Sequence, residues 1–512
     1  MSDDTSVAVE KRTILRLTRQ ITITLALLML LRGSIQAAEK KLLWLAVGSA
    51  ELTEPLKALA EKRRSDGLET FVSNKTVEEA MAASSRRPDF LLLVGDDEPG
   101  QEKSPWFLPA KRRKLYRWRN VQPLEFPSDA AWGDLDGDGI PDIPVGRIPA
   151  RTRAQVELVV QKILAFETQP PTVADLQMTV WLGSPEYSAT INAMASGLGV
   201  AIIQTRGPQW LRSWLVSGNP SDPFCGWPPD QPARFTRQMK QGGILSVLMG
   251  HASADAFYSM QFAEKPIFYT ADDAARELIT GPPVPPMVFF SCESGNFSRP
   301  KPCQTKSLLF LPGGPVATIG ATTESHPLPN YFSGACLLAS LGGREKRLGT
   351  IWLGAQRQAS RARDLVMEMM LRDLEGSLEK EINVEKLRRD QMLMYALLGD
   401  PATRLRLPEP LEASVERAET GWRWRAKRPP DATHLEVGFR KPQALPVPPD
   451  KKPTRAEEAD KASEMANVCF AFAVQPSPPN DGPWEGIYDH PGWLRLVAIG
   501  PKTLHVAVLK LR

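Results

Sequence analysis

Two apolar runs constrain the fold of this chain more than any other feature of its sequence. Residues 242–250 and 286–291 lack the regular polar alternation of a strand that has one face in solvent. Such runs are typical of central strands in an α/β sheet that helices cover on both faces. His251 follows the first run and Cys292 follows the second. Because reactive groups in open α/β sheets lie just beyond the carboxyl ends of the strands, the two residues mark a candidate site.

A thiol and an imidazole at neighbouring strand ends are suited to acyl transfer. A thiol with a pKa of about 8.5 is only slightly ionised at neutral pH, and a nearby imidazole can withdraw its proton and later protonate a leaving group. The alternative is that Cys292 and His251 are separate structural residues, as a lone buried cysteine usually is. Their joint occurrence at two strand ends, with glycines beside both, favours the catalytic interpretation.

The segments around these two residues resemble motifs of a known family. Residues 248–253 (LMGHAS) and 289–297 (FFSCESGNF) are similar to the His and Cys motifs of the gingipain family of cysteine peptidases. The resemblance implies a caspase-like fold, a catalytic dyad of His251 and Cys292, and protein or peptide substrates. It also implies that Glu186 is the acidic residue that orients the histidine. The alternative for Glu186 is a surface position in a strand-to-helix loop.

The mechanism expected from this dyad is peptide-bond cleavage through a thioester acyl-enzyme. The Cys292 thiolate attacks a peptide carbonyl, the amides of Ala252 and Cys292 receive the oxyanion, and His251 protonates the leaving amine. The sequence thus predicts a secreted cysteine endopeptidase. An inactive gingipain-like binding module on the cell surface is the alternative. A serine hydrolase is disfavoured because the sequence has no Gly-x-Ser-x-Gly elbow.

Three departures from the gingipain pattern concern the backbone after His251 and the substrate pocket. Ala252 stands where the family has glycine, and Ser325-His326 stands where a tryptophan would help to line the pocket. The acidic pocket residue of the arginine-specific members has no counterpart in residues 187–192. Arginine specificity therefore does not follow from the resemblance. Three other carboxylates are candidates for binding a basic substrate: Asp255, Glu293 and Glu324.

The order of predicted elements indicates an α/β fold. Strands and helices alternate from residue 41 onward, which favours parallel sheets, and the gingipain resemblance extends over about residues 41–407. We expect two adjacent α/β subdomains with mainly parallel sheets, the second of them the caspase-like catalytic half, followed by a small β domain. The predicted boundaries are a signal peptide at 1–38, an N-terminal α/β subdomain at 39–152, the catalytic subdomain at 153–408, a linker at 409–461 and the β domain at 462–512.

An aspartate-rich loop begins at residue 134. Asp134, Asp136, Asp138 and Asp142 occupy positions 1, 3, 5 and 9 of a calcium-loop pattern, although the twelfth position is Val145 rather than glutamate. The pattern predicts a structural Ca²⁺ ion held by these four carboxylates, with backbone carbonyls or water completing the shell. The alternative is that the Asp-Gly pairs form turns and the carboxylates are merely solvated.

The N-terminus has the pattern of a signal peptide. Basic residues precede an apolar run at 21–31, and small and polar residues follow it. This run is shorter than the roughly 20 residues that a membrane-spanning helix needs. We expect a secreted, periplasmic or cell-surface protein with no stable membrane span after signal removal, and a retained anchor is the alternative. We also expect no separate propeptide, because the first predicted strand follows the signal closely.

Composition narrows the remaining function classes. The net charge of +4 is spread along the chain. The sequence contains no block of Lys and Arg with interleaved aromatics, which is the pattern that would indicate nucleic-acid binding.

Of the five cysteines, Cys292 would be the odd one in an exported protein. The other four could pair in three ways, or all five could be reduced. They are Cys225, Cys303, Cys336 and Cys469.

Overall fold

The computed structural model describes residues 41–116, 125–186, 189–371, 382–442 and 454–512. The predicted signal peptide at 1–38 lies outside these ranges. None of the helices in these ranges has the length and hydropathy needed to cross a bilayer.

The described strands are β1 (Leu43–Gly48), β2 (Glu69–Ser73), β3 (Phe90–Val94), β4 (Lys111–Lys114), β5 (Glu125–Ser128), β6 (Val145–Ile148), β7 (Gln177–Leu182), β8 (Arg212–Ser217), β9 (Leu245–Met249), β10 (Ala256–Phe262), β11 (Lys265–Thr270), β12 (Met287–Phe290), β13 (Thr318–Ala321), β14 (Tyr395–Leu398), β15 (Glu409–Pro410), β16 (Ala413–Ala418), β17 (Gly421–Ala426), β18 (His434–Arg440), β19 (Ala473–Gln475), β20 (Trp484–Tyr488), β21 (Gly492–Ile499) and β22 (Leu504–Leu511).

The described α-helices are α1 (Ala50–Thr53), α2 (Lys57–Ser65), α3 (Val77–Ala83), α4 (Arg153–Thr168), α5 (Ala189–Arg206), α6 (Gln231–Lys240), α7 (Ala271–Leu278), α8 (Gln304–Leu309), α9 (Pro327–Ser340), α10 (Leu348–Arg361), α11 (Leu365–Leu371), α12 (Val384–Met394) and α13 (Ala456–Val468). Short 3₁₀ helices occur at Glu54–Leu56, Ala130–Trp132, Val173–Leu176 and Pro228–Asp230.

A single ten-stranded sheet organises the larger part of the chain, in the order β2-β1-β3-β6-β14-β13-β12-β9-β7-β8. The first five strands are parallel to one another, and so are the last five. The two halves meet at β13 and β14, which are antiparallel. The prediction of two adjacent α/β halves with mainly parallel sheets is confirmed. Because the halves run in opposite directions, their carboxyl ends lie at opposite edges of the sheet.

The apolar runs form β9 and β12 because both faces of these strands are covered. Val288 and Phe290 of β12 pack in one buried cluster, whereas Met287 and Phe289 pack in a second. Successive side chains of a strand point to opposite faces, so an uninterrupted apolar run fills two core layers. In β9, Leu248 joins the second cluster while its neighbours join the first.

The C-terminal region differs from its prediction. Residues 409–461 are predicted to be a linker, but β15 to β18 lie between residues 409 and 440. These strands join later ones in a five-stranded and a three-stranded sheet. In β17 the buried Trp422 and Trp424 alternate with the exposed Arg423 and Arg425. This period of two indicates a strand. The linker prediction missed it because the surrounding segment is rich in Pro, Lys and Glu.

Helix α13 covers an edge of the ten-stranded sheet. The side-chain amide of Asn467 accepts a hydrogen bond from the backbone N–H of Leu215 at 2.7 Å and donates one to the backbone carbonyl of Leu215 at 3.0 Å. Leu215 lies in β8, the last strand of the sheet. The amide thus pairs with an edge strand that would otherwise expose its backbone polar groups.

Candidate active site

His251 and Cys292 leave the sheet from adjacent strands at equivalent positions. Strands β9 and β12 are parallel neighbours, and Met249 pairs with Phe290 in their register. The N–H of Gly250 extends this pairing by donating to the carbonyl of Phe290 at 3.2 Å. His251 and Cys292 therefore each stand two residues beyond a register pair, at the carboxyl edge of the second half-sheet.

Both residues line one cavity of about 690 Å³. Its walls come from the ends of β7, β9 and β12, from helices α5 and α11, and from the start of α9. A volume of this size is typical of a small-molecule or side-chain binding site. The structure thus places the predicted thiol and imidazole in the lining of one cavity.

The imidazole of His251 is held by a backbone carbonyl. Its Nε2 lies 3.3 Å from the carbonyl oxygen of Pro185. A carbonyl oxygen only accepts hydrogen bonds, so Nε2 carries the proton in this contact, and in the neutral imidazole the lone pair is then on Nδ1. The nitrogen available to take a proton from a thiol is therefore Nδ1.

Glu186, the predicted partner of His251, is engaged elsewhere. It is exposed, its φ is 56°, and its carboxylate accepts a hydrogen bond from the Tyr258 hydroxyl. Among the described residues the hydrogen-bond partner of His251 Nε2 is the Pro185 carbonyl. A left-handed backbone conformation at a non-glycine residue marks a tight turn. That turn leaves the preceding carbonyl at the imidazole and the carboxylate at Tyr258.

Cys292 opens a second tight turn. Glu293, the next residue, has a φ of 53°, and the N–H of Ser294 donates to the carbonyl of Cys292 at 2.6 Å. The N–H of Glu293 donates to Thr323 on the neighbouring chain segment at 2.9 Å. Non-glycine residues in this conformation cost of order 1–3 kcal/mol and are concentrated at functional sites.

A buried polar network reaches the Cys292 sulfur. Its Sγ lies 3.6 Å from the carbonyl oxygen of Ser325 and 4.0 Å from the hydroxyl of Ser325. The side-chain amide of Asn330 donates to that hydroxyl at 2.9 Å, and the Asn330 carbonyl oxygen accepts from the Tyr395 hydroxyl at 2.7 Å and from Gln391 at 2.9 Å. Burial raises the pKa of Tyr395, which keeps its hydroxyl protonated as a donor.

Asn330, a member of this network, is not among the site residues predicted from the sequence. Asn330 lies in the first turn of α9, an otherwise largely apolar and buried helix. A polar side chain on a buried helix face needs a hydrogen-bond partner. That requirement is the signal by which Asn330 could have been found.

The loop after His251 leaves one amide without an acceptor. The carbonyl of His251 accepts from Tyr258 at 2.9 Å, and the N–H of Ser253 donates to Ala256 at 2.9 Å. The intervening Ala252 forms an isolated bridge with Phe257, and its N–H finds no acceptor within the described part of the chain. An amide without an acceptor is a candidate donor to a substrate oxyanion, although Ala252 is not part of the described lining of the cavity.

The three alternative carboxylates lie outside the cavity. None of Asp255, Glu293 and Glu324 belongs to its described lining. Asp255 forms ion pairs with Arg299 at 3.2 Å and with Lys301 at 2.8 Å. A carboxylate paired in this way is not placed to neutralise a bound substrate.

The aspartate-rich loop brings three of its four predicted ligands together. Side-chain oxygens of Asp134, Asp136 and Asp138 lie within 4.8 Å of one another. Carboxylate oxygens are the ligands that Ca²⁺ prefers, so this set fits the cation. Asp142 lies apart and pairs with Arg87 at 2.6 Å. The turn alternative also has support, because Asp138 accepts from the N–H of Ile140 at 2.7 Å.

The cysteines form no disulfide in the structure, which describes all five of them. Cys225 and Cys303 are buried. Burial raises the pKa of the Cys225 thiol to about 12 and also raises that of Cys303. Cys292 is the one cysteine that lines the cavity.

The comparisons with known proteins identify the family. The model of peptidase family C25 matches residues 38–406. This chain belongs to peptidase family C25. Membership confirms the gingipain-type resemblance and implies protein or peptide substrates. A search of curated proteins found no match to the sequence.

Three solved structures are similar to this chain at low sequence identity, and the first of them, with a TM-score above 0.5, shows the same fold. A structure described as a protease is 12% identical, with a TM-score of 0.54 over 92% of this chain and 98% of that chain. The arginine-specific cysteine proteinase gingipain R (RgpB) is 14% identical, with a TM-score of 0.49 over 93% of this chain and 99% of that chain. A complex of the pro- and mature domains of RgpB from Porphyromonas gingivalis is 13% identical, with a TM-score of 0.48 over 92% and 100% of the two chains.

Proposed function

We propose that this protein is an exported cysteine endopeptidase that cleaves peptide bonds through Cys292 and His251. One observation carries the proposal: the two residues stand at equivalent positions beyond adjacent parallel strands and line the same cavity. Membership in peptidase family C25 supports the reaction class. The cavity gives a substrate side chain access to the thiol.

The reaction proceeds in two stages. Nδ1 of His251 takes the thiol proton, and the Cys292 sulfur attacks the carbonyl carbon of the scissile bond to form a C–S bond. Collapse of the tetrahedral intermediate breaks the C–N bond, and the imidazolium returns the proton to the leaving amine. Water, deprotonated by the imidazole, then attacks the thioester and releases both the carboxylic acid and the thiolate.

The oxyanion of each tetrahedral intermediate is assigned to two backbone amides. The Ala252 N–H supports this role because it has no acceptor among the described residues. The Cys292 N–H is the second proposed donor, since it precedes the tight turn at Glu293. Preorganised donors of this kind supply a large part of the stabilisation of an acyl-transfer transition state.

We propose that the carbonyl of Pro185, rather than the carboxylate of Glu186, orients the imidazole. The 3.3 Å contact with Nε2 supports this assignment. Glu186 then acts indirectly, because its contact with Tyr258 anchors the turn that carries the carbonyl. Replacing Glu186 by Gln, which can still accept this hydrogen bond, should leave most of the activity.

Two further parts of the proposal concern export and calcium. We infer export from the N-terminal pattern of basic, apolar and small residues. Cell fractionation tests this inference, and recovery of the protein only from the cytoplasm would contradict it. N-terminal sequencing of the exported protein distinguishes a cleaved signal from a retained anchor. We also propose that Asp134, Asp136 and Asp138 hold a structural Ca²⁺ ion, to which carboxylate oxygens are suited.

Covalent labelling tests the proposed function directly. Peptides that carry a thiol-reactive warhead at the scissile position should modify the wild-type protein at Cys292 and leave Cys292→Ala unmodified. Cys225→Ala is the matched control, since Cys225 is buried away from the cavity. Absence of both labelling and peptide cleavage in the wild type would favour the inactive binding module.

A further inference from the structure

We propose that the cavity beside Cys292 receives a large apolar side chain from the residue whose carbonyl is attacked, the P1 residue. The enzyme would then cleave after residues such as leucine, methionine or phenylalanine. This inference rests on the proposed function, because it assigns a substrate class to the same thiol. Its support comes from the chemistry of the cavity wall.

The cavity wall is apolar on several sides. Side chains from the ends of two central strands meet side chains from helices α5 and α11. Methionine side chains are present in both the strand part and the helix part of the wall. Their flexibility lets the wall adapt to apolar groups of different shape. The principal apolar side chains are Leu198, Ile202, Met249, Phe290, Met367 and Met370.

The described lining of the cavity contains no aspartate, glutamate, lysine or arginine. An arginine or lysine side chain that entered it would lose water without gaining a counter-ion. Leaving a charge unpaired in such a site is strongly unfavourable, whereas burial of an apolar side chain is favourable in proportion to the apolar area removed from water. The difference in free energy favours an apolar P1 residue over a basic one.

One carboxylate lies behind the wall. Asp222 accepts a hydrogen bond from the hydroxyl of Ser196, a lining residue, and a second from the N–H of Phe224 at 3.0 Å. Asp222 is not itself part of the lining, and both of its oxygens are engaged. Burial also raises the pKa of Asp222, which disfavours its charged form. It is therefore a poor counter-ion for a basic substrate.

The apolar surface continues outside the cavity along α11. This short helix places Met367 and Met370 in the wall and leaves Leu365 and Met369 exposed by 76% and 75%. Exposed apolar side chains on an element that also lines a site are typical of surfaces that bind apolar groups. A substrate segment with apolar residues around the cleaved bond would cover them.

Peptide substrates that differ only at P1 test the inference. We expect kcat/KM for leucine, methionine or phenylalanine to exceed that for arginine or lysine by about a hundredfold or more, because a desolvated, unpaired charge is strongly discriminated against. Cys292→Ala establishes which cleavage belongs to this site. Cysteine-dependent cleavage after arginine or lysine would overturn the inference and leave the proposed function intact.

A charge introduced into the wall provides a second test. Gly197 lines the cavity within α5, and a Cβ atom built on it would meet no other atom within 4 Å. Gly197→Asp should therefore raise kcat/KM for the arginine substrate and lower it for leucine. Gly197→Asn, similar in size and uncharged, separates the effect of charge from that of volume and should keep the apolar preference.

The remaining outcomes are also decisive. A wild-type preference for arginine that Asp222→Asn removes would show that Asp222 serves as the counter-ion, which overturns the inference. A failure of Gly197→Asp to change the ratio of the two kcat/KM values, with the variant folded and active, would show that P1 lies elsewhere. If no peptide is cleaved and no warhead reacts with Cys292, both the inference and the proposed function fail.

Discussion

Asn330 donates its side-chain amide to the hydroxyl of Ser325 at 2.9 Å. That hydroxyl lies 4.0 Å from the Cys292 sulfur, so the hydrogen bond fixes one side of the thiol environment. Tyr395 and Gln391 hold Asn330 in turn from the neighbouring elements β14 and α12. Because the participants are buried, their geometry is set by hydrogen bonds rather than by solvent.

Asn330→Ala should lower kcat by between about tenfold and a hundredfold, since small displacements of a reacting group have effects of this size. KM should change much less, because the side chain supports the thiol rather than the whole substrate. Initial-rate kinetics and the rate of Cys292 alkylation should fall together. A lower melting temperature with an unchanged rate of Cys292 alkylation would indicate a purely structural role. Cys336→Ala, on the same helix, controls for general repacking of α9.

Cys292→Ala and His251→Ala should each abolish nearly all turnover, by at least about a thousandfold. Because thiol and imidazole act as one unit, the double variant should be no slower than either single variant. Turnover of each purified variant, with its melting temperature as a control for folding, checks this. Additive losses in the double variant would show that the two residues do not act together.

Calcium should raise the melting temperature of the wild-type protein. Ligand binding to the folded state stabilises it by RT ln(1 + [L]/Kd), about 2.7 kcal/mol at a hundredfold excess over Kd. The double variant Asp136→Ala and Asp138→Ala should lose this response. Asp142→Asn should keep it, because Asp142 pairs with Arg87 outside the carboxylate cluster. An equal rise in the melting temperature of the double variant would show that the aspartate-rich loop is only a turn.

Lys162 should make stability depend on pH. The lysine is buried, and burial lowers its pKa from 10.5 to about 7. Between those two pH values the unfolded chain binds the proton more strongly, so the free energy of unfolding should rise with pH over this interval. The destabilising contribution is fully present below pH 7.

Urea unfolding at several pH values checks this prediction. The free energy of unfolding of the wild type relative to Lys162→Met should increase between about pH 7 and pH 10. The ammonium donates to the carbonyls of Leu309 and Leu311 at 2.6 and 2.9 Å, so the variant also loses these hydrogen bonds at every pH. Lys265→Met, at an exposed position in β11, should show no comparable trend. A constant difference between the wild type and Lys162→Met would contradict the prediction.

Local sequence patterns were sufficient for several features of this protein. The two uninterrupted apolar runs predicted central strands, and the structure covers both faces of each. The segments around His251 and Cys292 indicated the family, which the match to residues 38–406 confirms. Apolar periodicity and short motifs are carried by neighbouring residues, so they can be read without knowledge of the fold.

The tertiary structure decided the features that depend on distant residues. Nε2 of His251 contacts the Pro185 carbonyl, whereas the Glu186 carboxylate contacts Tyr258, because the backbone turns with positive φ at Glu186. Asn330 reaches the Cys292 environment only because α9 starts beside the strand ends. The cavity, whose described lining contains no Asp, Glu, Lys or Arg, combines side chains from segments that lie far apart in the chain. Hydrogen-bond partners and cavity walls are set by packing between elements, and local periodicity carries no information about which elements meet.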